Sequence, residues 1–143
     1  ESRGIRSYNL ATKSFEAFDD ANIFLKNKAV YCIKQIKNNR LLVGTQRAVF
    51  DINTENETVT TIQHTQLDDA ISFYEDSRKN IWMAPSNRGV FRYDTDEKQL
   101  IYYDLNSPKR QFLGDADKQL FFEDSNMDLW IGIHGGGLFK YKN

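Results

Sequence analysis

Short apolar runs separated by polar turn residues cover the chain from one end to the other. A typical stretch reads Asn80-Ile81-Trp82-Met83-Ala84-Pro85, then Ser86-Asn87-Arg88, then Gly89-Val90-Phe91-Arg92-Tyr93-Asp94. The runs are too short for helices, and their connectors carry Asn, Asp, Ser, Gly and Lys. Strands of this kind, recurring about every 8–12 residues between turn signals, predict an all-β fold. No segment of ten or more residues carries a convincing 3.6-residue apolar period, so helix is expected to be nearly absent.

The runs repeat in register. Arg40-Leu41-Leu42-Val43-Gly44-Thr45, Asn80-Ile81-Trp82-Met83-Ala84-Pro85 and Asp128-Leu129-Trp130-Ile131-Gly132-Ile133 align with one another. Each is followed by a second matching run: Ala48–Asn53, Gly89–Asp94 and Gly137–Tyr141. A further copy of that second run, Gly4–Asn9, lies near the start of the chain. Glu75-Asp76-Ser77 precedes Trp82 as Glu123-Asp124-Ser125 precedes Trp130, with the aspartate six residues before the indole in both. The spacing is 40 residues from Leu42 to Trp82 and 48 from Trp82 to Trp130. The excess falls between Asp104 and Asp117, which reads as a loop insertion, since added loop length costs little entropy.

A four-strand unit recurring about every 40–50 residues selects a β-propeller over a sandwich or barrel. The chain then divides into an outer half blade at 4–18, full blades at 30–62 and 70–103, and a partial blade at 118–141. A closed propeller needs about 4–8 blades, so this is an incomplete one. Unpaired edges and exposed blade faces lead to two expectations: contact with other blades of a larger parent, and self-association. Within each blade the Leu-Trp-Ile-Gly strand should be apolar on both faces. Gly44 and Gly132 leave room for a neighbouring backbone or ring. Gly89 and Gly137 end tight turns, where positive φ is expected. Trp82, Trp130 and the aromatics Phe50, Phe91 and Phe139 fill the space between blades. Asp76 and Asp124 should accept N–H groups of the turns that follow them.

Composition adds exclusions. The 143 residues carry 19 Lys and Arg against 20 Asp and Glu, a formal net charge of −1, and no charge field argues for nucleic acid. The single cysteine, Cys32, excludes an internal disulfide and reads as a small buried apolar residue. No apolar run approaches the length that spans a bilayer, so no direct membrane contact is expected. His64 and His134 lack a partner at a metal-ligand spacing and read as surface histidines. The paired carboxylates Asp19-Asp20, Asp68-Asp69 and Asp115/Asp117 fit no calcium loop. No catalytic constellation, metal or cofactor is called for.

The run of aspartate, then Asp-Leu-Trp-Ile-Gly, then Gly-Gly-Leu-Phe-Lys-Tyr resembles the two-component regulator propeller repeat. Asp124 to Tyr141 is the best copy, Asp76 to Asp94 the next, and Leu42 to Asn53, which lacks the tryptophan, the weakest. The resemblance implies a fragment of the periplasmic sensor region of a bacterial hybrid two-component system. The parent would be an inner-membrane histidine kinase whose catalytic part is absent here. It implies a non-catalytic module that responds to glycan-derived oligosaccharides. A propeller-scaffold enzyme, a lyase or glycoside-active protein, is the alternative, and a pure protein-interaction scaffold is a third.

Propeller ligands meet loops at one end of the ring. Loops entering each first strand and those between second and third strands share an end. Here they offer His64, Gln66, Arg88, Asn106, Arg110 and His134 as candidate ligand residues. Amide and guanidinium groups can hydrogen-bond sugar hydroxyls. The competing reading takes them as ordinary solvated loop residues.

Overall fold

The computed structural model describes residues 5–37, 39–86, 89–105, 119–134 and 137–142. The described residues form an incomplete β-propeller of antiparallel sheets. A two-stranded sheet holds β1 (Arg6–Asn9) and β2 (Ser14–Ala17). The next is four-stranded, in the order β3 (Val30–Ile36), β4 (Arg40–Thr45), β5 (Ala48–Asn53) and β6 (Val59–Ile62). A second four-stranded sheet runs β7 (Ala70–Glu75), β8 (Ile81–Pro85), β9 (Val90–Asp94) and β10 (Gln99–Tyr103). The last comprises β11 (Gln119–Glu123), β12 (Leu129–Ile133) and β13 (Gly137–Tyr141). Each strand pairs with its sequence neighbour, as in a meander.

The repeat is carried by local chemistry. Asn9, Asn53 and Asp94 each close the turn to the next strand by accepting two backbone N–H groups on Oδ1, from Ala11 and Thr12, Glu55 and Asn56, and Asp96 and Glu97. Asn39, Lys79 and Met127 occupy equivalent places in the turns between first and second strands, all with positive φ (54°, 69° and 61°). Gly89 and Gly137 enter their strands at φ +88° and +92°, as their position after a tight turn predicts.

Packing between sheets builds the core. Ile36, Leu42, Val49 and Ile62 of the 30–62 sheet meet Ala70, Met83 and Phe91 of the 70–103 sheet. Trp82 and Val90 in turn meet Leu129, Ile131 and Ile133 of the 119–141 sheet. The first contact needs Gly44: a Cβ there would lie 2.5 Å from Cys32 Sγ and 2.6 Å from the Ala70 carbonyl oxygen. Cys32 itself is half-buried rather than fully buried. Its thiol donates to that same Ala70 oxygen at 3.2 Å, and burial pushes its pKa up to about 12, so it stays protonated.

Helix is nearly absent among the described residues, as expected, and two aromatics, Phe50 and Trp130, sit differently from expectation. A seven-residue helix, α1 (Asp19–Leu25), stands between β2 and β3. Ala21 and Leu25, one turn apart on its inner face, are fully buried against Val43, Phe50 and Ile52. Asn22 ties the helix to the edge by accepting from Ile5 N at 2.8 Å and donating to Ile5 O at 3.1 Å. Phe50 therefore fills the space under this helix, whereas Phe91 lies between two blades. Trp130 is only half-buried, although Trp82 is 1% exposed. The reason is position: the 119–141 sheet covers Trp82, while among the described residues no sheet stands on the Trp130 face. Gly132 shares that open face, and a Cβ there would find only Leu120 at an ordinary 3.9 Å. Phe139, on the opposite face of the same sheet, is half-buried as well.

Candidate functional site

At one end of the blades the loops before first strands meet the turns between second and third strands. Gln46 bridges to Asp69, and Arg47 N donates to Asp68 O at 3.0 Å. Ser86 N donates to Asp69 O at 2.8 Å, and Asp69 N returns a bond to Ser86 Oγ at 3.2 Å. These bonds hold three turns from two blades in one ledge.

His64 lies on this ledge and is half-buried rather than a free surface residue. Its ring meets Phe91 edge-on at 5.1 Å and leans on Tyr102 at 5.9 Å. Gln66 N donates to His64 Nδ1 at 3.1 Å, which leaves Nε2 as the ring's donor in the neutral form. His64 lines an open hollow of about 610 Å³ together with Arg47, Gln63, Thr65, Leu67 and Asp68. Across it Arg47 and Asp68 form a long exposed ion pair of 4.0 Å. The structure thus brings His64 and Gln66 together, and Gln66 is exposed. His134 is also exposed, follows β12 on another blade, and does not line this hollow. Arg88, Asn106 and Arg110 lie outside the described residues.

The opposite end holds a larger groove, of about 740 Å³, between the 30–62 and 70–103 sheets. Sequence reasoning did not single it out. The ends of β3 and β7 and the turns after them and after β9 form its walls. Glu75 sits in it, held by Lys34 and Lys79 at 3.0 Å each. Those two ammonium groups hold the Glu75 carboxyl below its usual range, Lys34 contributing most. Beside the groove Arg40 forms a two-point ion pair with Asp51, its Nε lying 2.8 Å from Oδ1. The Tyr93 hydroxyl donates to the same carboxylate, and Arg40 Nη2 donates to that hydroxyl at 3.1 Å. Asp51 is 3% exposed, and Tyr93, equally buried, has its phenol pKa raised by burial first and by Asp51 second. Nothing in a linear reading marks Asp51, because its partners come from a neighbouring strand and from the next blade.

Similarity to solved structures follows from this architecture. The extracellular domain of one putative hybrid two-component system from B. thetaiotaomicron matches with a TM-score of 0.63 and 19% identity, over 79% of this chain and 16% of that one. The extracellular domain of a second such system from the same organism matches with a TM-score of 0.63 and 22% identity, over 94% of this chain and 17% of that one. A catalytically inactive variant of virginiamycin B lyase from Staphylococcus aureus, with quinupristin, matches with a TM-score of 0.61 and 14% identity, over 82% of this chain and 42% of that one. The fold is therefore one that this chain shares with these extracellular domains and with the lyase, in agreement with the propeller repeat the sequence resembles. The chain spans about one sixth of the length of those extracellular domains. No family model matches the sequence, and no curated protein matches it.

Proposed function

We propose that this chain is part of the extracellular ligand-sensing propeller of a hybrid two-component sensor. In this reading it is a non-catalytic binding and signalling module, lying in the periplasm and joined through its parent to an inner-membrane histidine kinase. Its ligand is a glycan-derived oligosaccharide. The observation that carries the reading is the likeness to the extracellular domains of two putative hybrid two-component systems, over 79% and 94% of the chain. The in-register repeat of Asp76 and Trp82 with Asp124 and Trp130 supports it. The parent's other blades would seat on the open Trp130 face, as the 70–103 sheet seats on Gly44. Sensing would need the ligand to favour one arrangement of blades or subunits over another.

The lyase neighbour favours a second reading, an enzyme on the same scaffold, because fold alone does not separate the two. Calorimetric titration of the full parent ectodomain against an oligosaccharide panel, with chromatography of the mixture, separates them. Binding with the saccharide recovered intact is the outcome expected of a sensor. Cleaved product would transfer the chain to the enzyme class. Binding of a protein partner with no saccharide bound would leave the interaction scaffold.

A further inference from the structure

The repeat supplies an internal control for the groove between the 30–62 and 70–103 sheets. Five cationic side chains line it: Lys34, Lys37 and Arg40 from one blade, Arg78 and Lys79 from the next. Among the described residues two carboxylates, Glu75 and Asp96, line it with them. Counting Asp51 behind Arg40, cations still outnumber carboxylates five to three. The chain as a whole is slightly acidic, with 19 cations against 20 carboxylates, so this excess is local.

The equivalent positions at the next blade junction follow from the 40- and 48-residue offsets and from matching strand registers. Lys34, Lys37 and Arg40 become Tyr74, Ser77 and Asn80, and Arg78 and Lys79 become Asn126 and Met127. All five cations are gone, while the acid at Glu75 is kept as Glu123. That second junction packs without Lys34, Lys37, Arg40 or Lys79, while Arg78 reaches across it, its Nη1 donating to Met127 O at 3.0 Å. Tyr74 stacks on Phe121 at 5.7 Å, and Ser77 gives Glu123 its backbone N–H at 2.8 Å and its hydroxyl at 2.7 Å. Blade docking at this register therefore does not require a basic lining. Lys37, at the place of Ser77, is exposed and stands at the groove's wall.

We infer that this groove binds an acidic saccharide, one whose carboxylate or sulfate groups are met by Lys37 and Lys79. This rests on the sensor reading and names its ligand class. The volume, about 740 Å³, suits a short oligosaccharide, since ligand sites commonly measure ~300–1,000 Å³. Lysine ammonium groups supply mobile point charges for a carboxylate or sulfate. Glu75 has a definite part: it draws Lys34 and Lys79 to 3.0 Å and so positions cations from both blades across one opening.

The test is calorimetric titration of the 143-residue chain with three probes: tetragalacturonate for carboxylate, a heparin-derived tetrasaccharide for sulfate, and neutral cellotetraose. At least one acidic probe should bind, with cellotetraose silent. Raising salt from about 20 to about 200 mM, or the double change Lys37→Gln with Lys79→Gln, should weaken it about tenfold or more, since the attraction is between screened, exposed charges. Lys37→Glu alone, at an exposed position, should also weaken it and serves if the double variant does not fold. Circular dichroism verifies folding in each case. Which acidic probe binds decides between carboxylate and sulfate. An acidic probe bound equally by the variants, or bound by none of the proteins, overturns the inference. Cellotetraose binding without an acidic probe overturns the ligand class and leaves the sensor reading standing. Failure of the sensor reading itself shows separately, as cleaved product with the parent ectodomain.

Discussion

The indole Nε1 of Trp82 donates to Asp76 Oδ2 at 2.8 Å, and 48 residues further on Trp130 makes the same bond to Asp124 at the same length. The other oxygen of each aspartate takes N–H groups of its own turn: Asn80 N for Asp76, Asn126 N and Asp128 N for Asp124. One carboxylate thus fixes both the turn between the first two strands and the large ring of the second strand. The aspartate is a clasp rather than a catalytic acid, and its recurrence with the tryptophan has this physical cause.

Because Trp82 is buried and Trp130 half-buried, the two clasps should differ in strength. Asp76→Ala strands a buried indole N–H together with the backbone N–H and side-chain amide of Asn80. It should lower stability by about 1–3 kcal/mol, the cost of unsatisfied buried polar groups. Asp124→Ala should cost less, because water reaches the donors it releases. Urea denaturation of both variants measures the difference. Equal losses would mean that solvent access does not set the strength of the clasp.

The strand order and the repeat were legible because the chemistry that makes them is local. Alternating runs, the Asn53 and Asp94 that close third strands, and the Gly89 and Gly137 that open them can all be read along the chain. Helix α1 was not legible, since among its described side chains only Ala21 and Leu25 are buried, one turn apart, too few for a visible period. The basic groove was hidden for a different reason. Lys34 and Glu75 are 41 residues apart and meet only when two blades stack, so the pairing exists in no window of sequence. The exposure of Trp130 likewise depends on what stands against its sheet rather than on the strand it occupies.

A buried ion pair that loses one member is costly, and Asp51 is the member most enclosed. Asp51→Ala leaves the Arg40 guanidinium and the Tyr93 hydroxyl without their shared acceptor, at a junction between two blades. The expected loss is about 3–5 kcal/mol, as for breaking other buried pairs. Thermal unfolding followed by circular dichroism would show it. A melting temperature unchanged within error would mean that the arrangement is dispensable.

Acid should loosen the structure at identifiable points. The hydrogen bond from Trp130 does most to hold the Asp124 carboxyl below the usual carboxylate range, and the bond from Lys34 does most for Glu75. The N–H of Glu97 does the same for Asp94. A carboxyl with a depressed folded pKa contributes stability that is present above its unfolded value, near about pH 4. That stability is lost as pH falls through the folded value. Tryptophan fluorescence should therefore report loosening below about pH 4 and little change from there to neutrality. Asp124→Asn should shrink the acid-dependent part of the stability, and an undiminished pH dependence in that variant would remove Asp124 from the account.

Gly44 and Gly132 occupy the same register but different surroundings, and substitution should expose the difference. In Gly44→Ala the new methyl group collides with the Ala70 backbone, and the blades must part to admit it. A loss of about 1–3 kcal/mol is expected, as for overpacking elsewhere. Gly132→Ala meets only Leu120 at 3.9 Å and should be neutral or slightly stabilising in this chain, through a less flexible unfolded state. Paired denaturation curves test both statements. A large loss at Gly132 in dilute solution would mean that another surface already covers its face.

That face also predicts how the chain behaves at high concentration. Leu120, Phe122 and Leu138 project from it with 75%, 64% and 62% of their surface exposed, in one patch with Trp130 and Gly132. The patch has the residue types that pack between blades elsewhere in the molecule, and apolar burial favours covering it by about 25 cal/mol per Å². Concentration-dependent self-association is therefore expected, with a mass by light scattering that rises above the monomer's. Replacing Leu120 and Phe122 by lysine introduces charge into the patch and should restore the monomer without unfolding the chain, because both side chains already face solvent. A strictly monomeric mass for the unaltered chain at high concentration would show that the patch, though apolar, does not match itself in shape.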